Sequence, residues 1–368
     1  MWSSLFTSSP LFREPKHVIL EGMHPVSGGH HVRYQVVGNN TGKPVVFLHG
    51  GPGRGIDNSV WNFFNPRKYR IILIDQRGSG ASTPRGSLEY NTTGDIVEDL
   101  ESIRILLGVE KWMLFGCGSG SFLARAYAQK YPVNVSEIVL TGLVSFSPKE
   151  IDWLFRYGAS EHFPEAWADF AKPIAMAPKN GWEKFLLRLR GNKPMTPGQW
   201  FMRPACDVSL LKIYHHLLTE GNEDEQHEAV RAWTKWENTV CGDAKRSAEG
   251  PAYEQALVVA RIASYYFLNG GFMKPEDMLK GLNVIRAHRI PGIIVHGEND
   301  TVSPIAHAME LVRAWPEAKF IRVPSASHSI VDVNLQRALV QVTEDLGGCG
   351  CLFKFGKQGE TGETTASV

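Results

Sequence analysis

The chain has 368 residues, 43% of them hydrophobic and 21% charged, enough for one large domain or two ordinary ones around a sizeable core. Its 39 Lys plus Arg against 38 Asp plus Glu give a formal net charge of +1. The basic excess of a nucleic-acid or membrane-surface binder is therefore missing, and no apolar run reaches the ~18 residues of a membrane span.

In chain order, short β-branched runs alternate with helical patterns. Strands are predicted at 32–37, 44–49 (PVVFLH), 69–75 (YRIILID), 111–115 (KWMLF), 137–141 (EIVLT), 292–296 (GIIVH) and 319–323 (KFIRV). Most are nearly continuous apolar runs closed by Gly, Asp or Pro, as strands buried on both faces of a parallel sheet read. Helices are predicted at 93–107 and 121–130, so the pattern is that of an α/β fold with crossover connections. The alternation stops near Phe146 and resumes at about Gly292. The intervening stretch has helical spacing and carries Trp233 and Trp236 on one helix face. The expected organisation is a first core part at 1–145, a helical insertion at 146–253, a second core part at 254–346 and a mobile tail at 347–368.

Residues 1–15 show no apolar core behind a basic start, so no secretory signal is read. Five scattered cysteines (Cys117, Cys206, Cys241, Cys349, Cys351) are odd in number. They fit reduced thiols in a cytoplasmic compartment better than a disulfide framework. On that reading the sequons at Asn39, Asn91 and Asn134 carry no weight.

A parallel sheet brings the carboxyl ends of its strands to one edge, where ligand sites form. After the strand at 44–49 comes HGGPG (49–53), whose glycines suit either an oxyanion hole or a plain tight turn. After the strand at 111–115 comes Gly116-Cys117-Gly118-Ser119-Gly120-Ser121. Small residues two before and two after the centre of a strand-to-helix turn make a nucleophile elbow. Its centre here is Gly118, not a nucleophile. Asp300 and His328 follow the last two strands, in the order of an orienting carboxylate and a general base.

With these residues the chain resembles the proline iminopeptidase family, an α/β-hydrolase family with a helical cap, from about Pro15 to Leu346. The resemblance rests on HGGPG (49–53), DQRGSGAS (75–82), FPEAW (163–167), WTKWE (233–237), YYFLNGGF (265–272) and AWPEA (314–318), in order. It implies release of an N-terminal proline from small peptides by a Ser-Asp-His triad, with no metal or cofactor. Carried over by position, Asp300 and His328 are the triad acid and base. Backbone around Gly50 and Gly51, with the Ser119 N–H, forms the oxyanion hole. Glu237 is one of two acidic residues that receive the substrate amine.

The departures fall on the chemistry. The family elbow reads Gly-Gly-Ser-Trp-Gly-Ser, so Gly118 stands where the nucleophile serine belongs. The second acidic position, after Arg261-Ile262, is Ala263, and Tyr265 replaces a histidine. Removing the nucleophile of a serine hydrolase costs about 10⁶ in turnover. Losing one of two carboxylates around a buried ammonium adds about 2–5 kcal/mol. The expectation is a catalytically impaired relative that serves as a scaffold, a complex subunit or a binder of a peptide or small molecule. The competing reading is an active hydrolase. Its routes are a displaced nucleophile at Ser119, the Cys117 thiol, or a water activated by His328 and Asp300. His30-His31 and His215-His216 lack a partnered metal-ligand spacing and read as surface or packing histidines. Cys349 and Cys351 read as tail spectators.

Overall fold

A computed structural model describes residues 18–176, 210–243 and 246–348. An eight-stranded sheet runs through it, comprising β1 (Val18–Pro25), β2 (His31–Gly38), β3 (Lys43–Leu48), β4 (Tyr69–Ile74), β5 (Trp112–Cys117), β6 (Val135–Thr141), β7 (Gly292–Gly297) and β8 (Lys319–Val323). The order is β1-β2-β4-β3-β5-β6-β7-β8. β2 pairs antiparallel with β1 and β4, and every other neighbouring pair is parallel. The seven strands expected from the sequence are all present. β1 was not expected: six of its eight residues are exposed and it has no alternation to mark it, so its strand character comes from pairing with β2.

Helices cover both faces. Among them are α1 (Thr93–Leu106) and α2 (Ser119–Lys130). α1 opens where Thr92 and Asp95 close a reciprocal capping box, which satisfies two of the first-turn N–H groups. Between β6 and β7 the described residues form helices and no strands: α3 (Pro148–Phe155), α4 (Ala159–His162), α5 (Pro164–Met176), α6 (Leu210–Glu220), α7 (Glu223–Cys241), α8 (Tyr253–Leu268) and α9 (Pro275–Ala287). These helices hold together through aromatic packing. Trp233 and Trp236 are both buried on α7; Phe155 stacks on Trp233, and Phe170 stacks on Tyr214 and Trp236 with centroids 4.3 and 5.4 Å apart. α10 (Ile305–Ala314) and α11 (Val333–Leu346) complete the described chain. No helix among the described residues is long and apolar enough to cross a membrane.

Candidate functional site

The strand-to-helix turn after β5 sets the geometry. Gly118 sits alone between β5 and α2 at φ +56°, ψ −128°, a left-handed region that glycine enters at no steric cost. Its carbonyl accepts the Ser121 N–H at 2.8 Å. The helix therefore opens at Ser119, two residues earlier than the sequence pattern suggests. A Cβ on Gly116 would lie 2.4 Å from the Gly120 carbonyl oxygen, and a Cβ on Gly120 only 2.0 Å from that of Leu48. Both positions admit only glycine, and this fixes residue 118 as the centre of the turn. At Gly118 the situation is reversed. A Cβ there would meet the Gly50 Cα at 3.4 Å and His328 Nε2 at 3.9 Å, with nothing closer. The space for a side chain facing the imidazole is present and unfilled.

The imidazole comes from the neighbouring strand ends. β7 and β8 are adjacent and parallel, so the loops after them share one edge of the sheet. His328 Nδ1 donates to Asp300 Oδ2 at 2.8 Å, while Asp300 Oδ1 accepts from the N–H groups of Val302 and Ser303. Burial alone would raise the Asp300 carboxyl; the adjacent His328 and His296 and the Ser303 N–H outweigh it and hold the carboxyl below its ordinary value. A carboxylate only accepts, so Nδ1 carries the proton, and in the neutral ring Nε2 is left as a base directed at position 118.

A cavity of about 100 Å³ opens over this turn. Gly50, Gly51, Gly118, Ser119, Glu237 and His328 all line it. Gly50 lies so close to the elbow that a Cβ there would fall 2.8 Å from the Cys117 carbonyl oxygen. Ser119 is the first residue of α2, so its N–H has no acceptor within the helix, and its Oγ is buried without a partner. Cys117 also lines the cavity. Burial pushes its thiol up to about 12, against an opposing pull from Arg54, so it is protonated at neutral pH and is a poor nucleophile.

The polar end of the cavity differs from the expectation. Glu237 does reach it, but Glu237 Oε2 accepts from Arg246 Nη1 at 3.0 Å. Ala263 is fully buried in α8 and is not part of the lining. Arg54 and Arg246 both line the cavity, and sequence reasoning missed both. Arg54 directly follows the HGGPG loop and was open to notice. Arg246 had no local signal. Elsewhere, His30 Nε2 pairs with the Glu89 carbonyl and His215 Nδ1 with Ser264 Oγ, as packing histidines do. The tail cysteines Cys349 and Cys351, and Cys206, lie outside the described residues.

Sheet order, a glycine-framed turn and a carboxylate–imidazole pair on adjacent strand ends define an α/β hydrolase. A family model of the alpha/beta hydrolase fold matches residues 43–192. An esterase from Rhodococcus sp. ECU1013 superposes with a TM-score of 0.54 at 17% identity, covering 90% of this chain and 99% of its own. An alpha/beta hydrolase enzyme from a deep-sea metagenome library superposes at 0.53 and 15% identity, covering 90% and 100%. At those identities the likeness shows the fold alone. Sequence relatives go further. The proline iminopeptidase of Xylella fastidiosa (strain Temecula1) is 39% identical over 328 residues, 88% of this chain and 95% of that protein. Those of Neisseria gonorrhoeae and Arabidopsis thaliana are 36% and 37% identical, over 91% and 87% of this chain and 97% and 78% of their own lengths. The chain belongs to the proline iminopeptidase family.

Proposed function

We propose that this protein binds a small ligand in the cavity over the elbow and does not carry out acyl-enzyme peptide hydrolysis. The observation that carries the reading is Gly118. It occupies the centre of a turn whose flanks admit only glycine, with nothing within 3.9 Å of the Nε2-facing side of its missing Cβ except backbone of Gly50. Without an acyl intermediate, a water activated by His328 is left as a slow route. The cavity lined by Glu237 and His328, with Asp300 behind the imidazole, favours a binder over a scaffold, because a scaffold has no need of a shaped interior. On this reading residues 146–253 act as a cap over core segments 1–145 and 254–346.

A second reading has a specific observation behind it. The buried, unpartnered Oγ of Ser119 lines the same cavity, which suits prolyl aminopeptidase chemistry from a displaced nucleophile. Two facts weigh against it. Gly116 and Gly120 pin the centre of the turn at 118, and a nucleophile at 119 removes the N–H that would hold the oxyanion.

The test is intact mass after incubation with a fluorophosphonate, on the native chain and on Gly118→Ser. The expected result is no adduct on the native chain and one adduct on Gly118→Ser. An adduct on the native chain, mapped to Ser119, overturns the reading. Absence of an adduct on both proteins refutes the claim that the hole and base remain in place around a missing nucleophile.

A further inference from the structure

The charged and imidazole groups lining the cavity are His49, Arg54, Asp57, Glu237, Arg246 and His328; the His49 ring pairs with the Gly50 carbonyl and the Gln76 N–H. Most are already committed. Glu237 is held by Arg246, which also lies 3.4 Å from Asp243 Oδ2, and the His328 Nδ1–H is held by Asp300. Asp57 is exposed at the surface. Arg54 differs in one respect: among the described residues its guanidinium forms no ion pair, while its Nε, like Nε and Nη2 of Arg246, is buried without a hydrogen-bond partner. A buried donor with no partner carries an uncompensated desolvation cost, which a ligand able to accept from it would recover.

The backbone holds Arg54 in place. Its N–H donates to the Gly50 carbonyl at 3.4 Å, and its carbonyl accepts from Gln255 Nε2 at 2.7 Å. The Arg54 backbone is thus tied to the loop that carries Gly50 and Gly51, and its side chain lines the cavity. The Ser119 N–H, at the start of the twelve-residue α2 and also on a residue lining the cavity, is the positive end of a helix. Two independent features therefore favour negative charge, and of the two lining carboxylates Glu237 is held by Arg246 and Asp57 is exposed at the surface. The remaining walls include Leu154, Phe155, Val240, Phe267 and Val302, an apolar surface with no polar demand.

We infer that the cavity takes a small carboxylate with an aliphatic body, its anionic group held by Arg54 and the Ser119 N–H, in place of a ligand bearing an N-terminal amine. This inference rests on the binding reading given above for the same site. It follows from the Glu237–Arg246 pair as much as from Arg54. An ammonium entering here would meet a carboxylate already neutralised and two guanidinium groups.

The experiment compares three compounds with one hydrocarbon skeleton: 3-methylbutanoate, 3-methylbutanamide and 3-methylbutylamine. Binding to the full chain is followed by calorimetry or by protein-observed NMR. The carboxylate is expected to bind at least about tenfold more tightly than the amide, as a charge-assisted contact to a guanidinium implies, with no saturable binding of the amine. Arg54→Gln is expected to remove that carboxylate preference by weakening the carboxylate more than the amide, and Arg54→Lys to restore part of it. Equal affinity for carboxylate and amide, tighter binding of the amine, or no binding of the carboxylate each overturns the inference. So does an Arg54→Gln protein, folded by circular dichroism, that keeps the preference. The fluorophosphonate assay on the same sample separates the two readings: labelling of the native chain refutes the non-catalytic function, and the carboxylate preference is decided by the titrations alone.

Discussion

Glu150 gives the sharpest test of how burial controls charge next to the site. It sits on α3 at 1% exposure, where Oε2 accepts from the Ser145 N–H at 2.7 Å and from the Ser145 hydroxyl. Oε1 is buried with no partner. Burial raises the carboxyl to about 7, with the Ser145 hydrogen bonds and the Arg125 charge opposing it only in part. Arg125 is itself buried, and its guanidinium is pushed down to about 10, so neither ion stabilises the other enough to offset desolvation. A carboxyl whose folded value is raised binds its proton more tightly folded than unfolded. Its stabilising effect is complete below the ordinary carboxyl value and is lost as pH rises through about 7. From the ordinary carboxyl value of 4.5 to about 7, the loss is about 3 kcal/mol. For a protein of this size that corresponds to a Tm difference on the order of 5 °C. Glu150→Gln keeps an acceptor for Ser145 and cannot ionise. Thermal melts of both proteins from pH 5 to pH 8 are expected to diverge, the native chain losing stability relative to the variant as pH rises. Parallel profiles, or a variant that loses ground as pH rises, refute the reasoning.

Two further outcomes probe the elbow and the dyad. Gly120→Ala places a Cβ 2.0 Å from the Leu48 carbonyl oxygen, and backbone on both sides must move. A loss of about 3 kcal/mol or more is expected, and a Tm equal to that of the native chain would contradict the framed turn. His328→Ala removes the side-chain hydrogen bond to the buried Asp300 carboxylate and leaves it the Val302 and Ser303 N–H groups, with His296 3.8 Å away, so thermal stability at neutral pH is expected to fall by about 3 kcal/mol. Because Asp300 is held below its ordinary value, the difference should shrink as pH falls through the carboxyl range. An unchanged melting temperature at neutral pH would mean that the pair has no structural role.

What the sequence determined is what depends on local chemistry. Buried parallel strands are apolar runs in their own right, so seven of the eight strands were legible, and so were the residues at their carboxyl ends. The elbow was legible because Gly116 and Gly120, on either side of Gly118, are demanded by backbone within a few residues or by the adjoining strand. From dispersed motifs in order, HGGPG (49–53) to AWPEA (314–318), the chain also declared its family. β1 escaped because its exposed residues carry no period and only β2 makes them a strand. The tertiary structure alone decided the character of the cavity. Glu237 and Arg246 are nine residues apart across the end of α7, and their 3.0 Å contact exists only because the loop after that helix folds back over the site. Arg54 acquires its meaning from what does not lie beside it. A side chain's charge is written in the sequence, but whether that charge is already neutralised depends on which groups packing brings within a few ångströms, and no spacing along the chain encodes that.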